Sequence, residues 1–227
     1  MSGRKAALEA ALATVPDGMA IVGQVTEERV IWKSVLITFA KTLLAAIVGV
    51  ALGLTATWFA VERGYGFGAV SSGPWTGWPK TGSLEADPYA RAVIARTGEV
   101  PLGLAEGLSF TARTDETGAE LNPNCDYTLS DPIPPARYWT LTAMTPRGAL
   151  IDNAAGHFGL TSSEIVRDMQ GKFQITVSRQ ARAGNWLPLG DAREFVLVLR
   201  LYDTPLSSAS SSIGITPMPQ LKRGRCT

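Results

Sequence analysis

The chain has 227 residues and a formal net charge of +1, with 45% hydrophobic residues, one histidine and two cysteines. From residue 62 onward, acids and bases balance at 16 each. No concentrated basic face is left for a nucleic acid, and so few histidines and cysteines exclude a recognisable zinc cluster. No cofactor is expected.

Residues 1–34 predict a short cytoplasmic segment. It holds one helix, capped by Ser2, over AALEAALATV and broken at Pro16-Asp17-Gly18. Residues 35–61 predict a transmembrane helix. Their centre, Thr42 to Val61, is 20 consecutive uncharged and mostly apolar residues. At 1.5 Å per residue such a run reaches about 30 Å, the thickness of a bilayer's hydrocarbon core. A buried core helix or a cleaved signal are the competing readings. A core helix rarely runs that far without a charge, and Trp58 and Phe59 suit the headgroup interface better than a cleavage site.

Arg4, Lys5, Arg29, Lys33 and Lys41 precede the run, against Arg63 and Lys80 just beyond it. The positive-inside rule then leaves the N-terminus in the cytoplasm and the large domain outside, which for a bacterial inner membrane is the periplasm. Gly49 and Gly53, extended by Ala45 and Thr57, form a small-residue face four apart. The lipid bilayer is the expected partner, and that face would suit a homodimer or a partner transmembrane helix.

Residues 62–83 are rich in glycine and aromatics without either period, and read as a juxtamembrane loop. Tyr65, Phe67, Trp75 and Trp78 could rest on the domain or dip into the interface. Residues 84–227 predict a single periplasmic domain. It opens with a helix capped by Asp87, started by Pro88 and stopped at Gly98. Tyr89, Ala92, Val93 and Arg96 lie three or four apart along it.

From about residue 107 the period falls to two. LSFTART, CDYTL, RYWTLTAM, KFQITVSR and EFVLVLRLY read as strands separated by turn residues. Phe173, Ile175 and Val177 share a face, and 194–202 is apolar enough for the centre of a sheet. One helix followed by many strands implies a mainly β fold, an antiparallel β-sandwich. No glycine-rich loop follows a strand into a helix, so nucleotide binding of that kind has no support.

The chemistry-bearing residues are few. His157 has Asp152, Asn153, Ser162 and Ser163 near it in sequence. A serine–histidine–carboxylate device could be drawn from them, although no G-x-S-x-G elbow accompanies them. Asn122, Asn124 and Asp126 could offer oxygens to calcium, but more simply turn the chain into a strand. No catalytic or metal-binding residue is therefore assigned. Cys125 and Cys226 could form a disulfide that tethers the tail, or remain two free thiols. Tyr138-Trp139 and Asn185-Trp186 could line a ligand cleft, or serve as a core aromatic and a tight turn.

The order PPARYWTLTAM, GALIDN, GNWLP and FVLVLRLYD resembles the bacterial family termed domain of unknown function 1214. The matching positions are Pro134, Pro135, Tyr138, Trp139, Asn153, Asn185, Trp186, Leu187, Pro188, Arg200, Leu201 and Tyr202, with Asp87, Tyr89 and Arg91 upstream. The resemblance spans residues 64–205. It implies a jelly-roll sandwich and supplies no reaction, cofactor or catalytic residue. The candidate cleft thus comprises Tyr138, Trp139, Asn153, His157, Asn185, Trp186 and Arg200, with Arg200 paired to an acid or to backbone carbonyls. The expected role is binding of an envelope component, a small ligand or a partner protein. A hydrolase acting on carbohydrate or ester and a structural domain associating through its anchor are the alternatives.

Overall fold

A computed structural model describes residues 17–62, 68–98, 100–103, 105–207 and 214–226, with side chains in the first helix over Trp32–Val61. The expected helix over AALEAALATV lies outside the described residues. The chain divides into two compact units, residues 1–57 and 58–227.

Helix α1, Asp17–Glu62, is 46 residues long; it includes Asp17 and Gly18 of the expected break and extends well ahead of the expected residue 35. Its segment Trp32–Val61 has a mean hydropathy of 2.3 and is not buried. A helix in a protein core would bury one face, and this one leaves Leu52, Leu54 and Trp58 all exposed. Its hydroxyls bond inward: Thr55 Oγ1 donates to Ala51 O at 2.7 Å and Thr57 Oγ1 to Gly53 O at 2.9 Å. Among the described residues this is the one helix long and apolar enough to cross a membrane.

The second unit is built on two sheets. Strands β1 (Val70–Ser72), β2 (Trp75–Gly77), β3 (Gly107–Ala112), β5 (Tyr138–Met144), β6 (Gly159–Thr161) and β9 (Val196–Tyr202) form one six-stranded sheet in the order β1-β2-β3-β9-β5-β6. Strands β4 (Cys125–Ser130), β7 (Gln174–Ser178), β8 (Asn185–Pro188) and β10 (Gln220–Cys226) form a second, in the order β10-β4-β7-β8. One buried cluster draws on both, with Trp75, Phe110, Trp139 and Leu199 from the first and Tyr127, Ile175, Leu187 and Leu221 from the second.

The expected mainly β fold is present, with strand positions close to those predicted. The antiparallel expectation fails at one place: β7 and β8 run parallel, with Ile175 beside Asn185 and Ser178 beside Pro188. A parallel pair usually needs a long crossover. Here the strands are so short that the chain must return only about 13 Å, which six extended residues can cover. GNWLP is accordingly an edge strand instead of a tight turn, with its proline at the strand's end, where a missing N–H is tolerated. The strand orders establish two sheets on a shared core; the jelly-roll form goes beyond them.

The expected juxtamembrane loop is also corrected. Residues 70–77 form a hairpin that extends the six-stranded sheet through β2, with Trp75 opposite Ala112. Trp75 is fully buried and donates Nε1–H to Pro219 O at 2.8 Å. Strands of three residues carry too little alternation to be seen in a sequence.

Helix α2, Pro88–Thr97, has the predicted boundaries. Asp87 Oδ1 accepts from Tyr89 N–H and Ala90 N–H at 2.9 and 3.0 Å, and Gly98, in the left-handed region at φ 68°, donates its N–H to Ile94 O. Its covered face is Ala90, Val93 and Ile94, which shares only Val93 with the expected stripe of Tyr89, Ala92, Val93 and Arg96.

Candidate functional site

Strand β9 explains where a site can form. Leu197, Leu199 and Leu201 point into the shared core, while Val196 and Val198 point the other way and are buried too. A strand covered on both faces reads as continuously apolar. The outer face is covered by α2 with the segments on either side of it. Between them lies a cavity of about 100 Å³. Its floor is Ser109 and Thr111 of β3, Val196 and Val198 of β9, and Met144. Ala90, Val93 and Ile94 roof it, and Trp78, Pro101, Leu102 and Pro146 close its sides.

Two polar groups in this lining lack partners. Trp78 Nε1–H is buried without a hydrogen-bond acceptor. Arg113, just beyond β3, is half-buried, and its guanidinium has no hydrogen-bond or ion-pair partner among the described residues. Burial pushes its pKa below the usual arginine range, since charge is costly away from water. Arg113, Val93, Thr145 and Pro146 also line an adjoining open cleft of about 1060 Å³. That cleft carries Arg96, Arg147 and Arg193 together with Asp152, Asp191 and Glu194. Charge is therefore mixed in the cleft, whereas Arg113 is the one charged residue among those lining the cavity.

The residues picked out from sequence do not share a cleft. Alternation along β5 sends Trp139 into the core, where it stacks on Phe173 at 5.5 Å, and Tyr138 to the outer face beside Tyr202 at 5.9 Å. Arg200 lies on that outer face opposite Ser109 and Thr140. Asn185 is a structural clamp: its amide donates to Val166 O and Gln174 O and accepts from Val166 N–H at 2.7 Å. Asn153 closes its own loop, donating to Ile151 O and His157 O and accepting from His157 N–H.

His157 Nε2 is buried without a partner. Ser162 Oγ accepts from Trp139 N–H and Ser163 pairs with the Thr161 hydroxyl, so among the described contacts neither serine joins the histidine. Asn122 Oδ1 accepts from Asn124 N–H at 2.9 Å, the turn expected there, and no group of three or more His, Cys, Asp or Glu among the described residues is placed to hold a metal. Of the candidates, Asn153 and Trp186 line one depression, together with Asp152, Arg179 and Asp191. Gly190 makes that depression possible: at φ 47° it lies so close to Asp152 O that a Cβ would stand 2.1 Å away.

Cys125 and Cys226 form a disulfide across a sequence separation of 101. Gly49 and Gly53 lie one turn apart on α1, with nothing within 4 Å of where a Cβ would stand. Sequence reasoning noticed Trp78 only as a loop aromatic and missed Arg113 altogether. An arginine at a strand end has no signal of its own until the covering helix is in place.

Fold and cavity together define a two-sheet β domain whose six-stranded sheet is covered by a helix over a small, mostly apolar cavity. Residues 106–206 match the family described as "Protein of unknown function (DUF1214)", which confirms the resemblance read from the sequence. A crystal structure of a Vibrio parahaemolyticus protein is similar at 20% identity and a TM-score of 0.49, over 62% of this chain and 36% of that one. An uncharacterised protein from Burkholderia cenocepacia is similar at 18% identity and a TM-score of 0.32, over 64% of this chain and 44% of that one. The chain thus spans less than half the length of either. No curated protein matches.

Proposed function

We propose that this chain is a single-pass protein of the bacterial inner membrane whose β domain stands in the periplasm and binds a small ligand without transforming it. The observation that carries the reading is the mostly apolar cavity under α2, lined by Trp78 with its buried unpartnered indole N–H and by the half-buried Arg113. Ligand pockets commonly combine a mainly apolar wall with a few polar groups that fix orientation. The long unburied apolar segment of α1 supports the anchor. The basic residues ahead of it support the orientation, and the Cys125–Cys226 disulfide suits an oxidising compartment.

The hydrolase alternative draws on Asp152 and Asp191, which share a depression with Trp186. Glycoside hydrolysis wants one carboxyl kept protonated by its surroundings. Both of these are exposed, so binding is the stronger reading.

Thermal unfolding of the full chain in lipid nanodiscs, against a panel of small apolar alcohols, amides and carboxylates, tests the proposal. A ligand that binds only the folded state raises the midpoint by mass action. At least one class should do so in the native chain and not in Val93→Trp, which fills the cavity. No shift from any class removes the ligand-binding reading. A C-terminal reporter active only in the cytosol removes the periplasmic one.

A further inference from the structure

Two donor-only side chains line the cavity: Trp78, whose indole N–H is buried without an acceptor, and Arg113, half-buried and without a protein partner among the described residues. An indole N–H and a guanidinium both donate and neither accepts. An acceptor would satisfy both, and beside a half-buried cation an anionic one. We propose that the cavity takes a small carboxylate with a short or branched apolar body, the carboxylate held by the Arg113 guanidinium and the Trp78 indole N–H. This rests on the ligand-binding function proposed for the cavity and names its chemistry.

Three observations converge on it. The first is size. A cavity of about 150 Å³ lined by aliphatic side chains holds a benzene ring, so 100 Å³ admits a smaller body, on the order of four or five carbons. A long acyl chain does not fit inside it.

The second is charge. A half-buried guanidinium without an ion partner is costly, and a carboxylate is the planar two-oxygen group its fork matches. Asp152, Asp191 and Glu194 do not serve this purpose within the cavity, because they line the adjoining cleft and not the cavity itself.

The third is access. Arg113 lines both spaces, so a ligand arriving through the open cleft meets the cation at the point where the cavity begins. Its apolar body then passes on between α2 and the outer face of β3 and β9, against Val93, Ile94 and Val198. A neutral analogue of the same shape fills the same walls but leaves the cation without its counter-charge. Discrimination between the two is the signature of the arrangement.

Isothermal titration of the full chain in nanodiscs with 3-methylbutanoate and with its amide tests this. The carboxylate should bind at least about tenfold more tightly, the worth of a hydrogen bond to a charged group. Arg113→Gln should abolish that preference, and Arg113→Lys should keep part of it. Trp78→Phe removes the indole donor together with part of the wall, and should weaken the carboxylate by about tenfold or more, and more than it weakens the amide. Unliganded Arg113→Gln should unfold at the same temperature as the native chain or higher, because it removes an unpaired, half-buried charge; a merely structural arginine would cost stability instead. Equal binding of amide and carboxylate, or a preference that survives Arg113→Gln, overturns the assignment. If neither compound binds but an alcohol from the wider panel does, the carboxylate is wrong and the cavity's role stands. If nothing binds, both fall.

Discussion

The two sheets of the β domain are secured by different means. In the six-stranded sheet the central strand β9 buries four residues in a row, Val196 to Leu199, because both of its faces are covered. In the four-stranded sheet the terminal strand β10 buries only Leu221 and leaves its other side chains exposed. A strand with one buried side chain gains little from the hydrophobic effect. It is held instead by its ladder to β4, by the disulfide from Cys226 to Cys125, and by Arg223. Arg223 Nε lies 2.9 Å from Asp115 Oδ2, an ion pair by distance, and its Nη2 donates to Glu120 O at 2.7 Å. Where apolar side chains run out, covalent and ionic links take over.

The largest test of this comparison removes the covalent link. Cys226→Ser should cost up to about 4.7 kcal/mol, the loop-closure value for a loop of about 100 residues, read by urea unfolding of the full chain in nanodiscs. Reductant should produce the same loss in the native chain. A cost below about 1 kcal/mol would mean that β10 is held by its ladder and ion pair alone. Leu199→Ala, in the other sheet, should cost about 3 kcal/mol as a buried truncation. Its cost should be indifferent to reductant and to salt; a salt-dependent cost would break the contrast.

Asp115→Asn should cost about 2 kcal/mol, below the range for a fully buried pair because Arg223 is about one-third exposed. It also carries a pH signature. Burial opposes ionisation of Asp115, but hydrogen bonds from the Thr117 side chain and backbone and from Ala119 N–H, with the Arg223 charge, outweigh it and hold its pKa below the usual carboxylate value. A depressed carboxyl stabilises the fold fully above its unfolded pKa. That contribution is lost as pH falls from about 4 through the folded value. Asp115→Asn should flatten the acid limb of the stability profile, and an unchanged limb would assign it elsewhere. The smallest effect is local to the site. Asp87→Ala removes the cap of α2, costs about 1 kcal/mol, and should speed hydrogen exchange at the Tyr89 and Ala90 amides. If exchange there is unchanged, the helix is held by its cavity face and not by its cap.

Legibility from sequence followed the same division. Helix α2 was readable to the residue because Asp87, Pro88 and Gly98 each act locally, through a side-chain cap, a fixed φ and a left-handed backbone. Strands β3, β4, β5 and β7 were readable because alternation over five or more residues survives without knowledge of the partner, and β9 because its apolar run is continuous. The hairpin at 70–77, the parallel edge strand β8 and the charged strand β10 were not, since each is a strand only by virtue of its pairing. Gly-Asn-Trp-Leu-Pro reads as a turn until β7 lies beside it.

The candidate cleft residues are dispersed for a related reason. Trp139, Asn185 and Trp186 are conspicuous residues, but conspicuousness carries no direction. Alternation on β5 turned Trp139 inward, and the edge of β7 claimed the Asn185 amide.

The sequence by itself determined the long apolar helix, the β character of the domain beyond it, the boundaries of α2 and the resemblance to a family whose model matches residues 106–206, because these depend on composition, periodicity and local backbone preference. Tertiary structure alone decided the strand orders, the closure of the tail through Cys226, and the placing of both Trp78 and Arg113 in the lining of one cavity. Those rest on contacts between residues far apart in the chain, and pairing at a distance leaves no local mark on either partner.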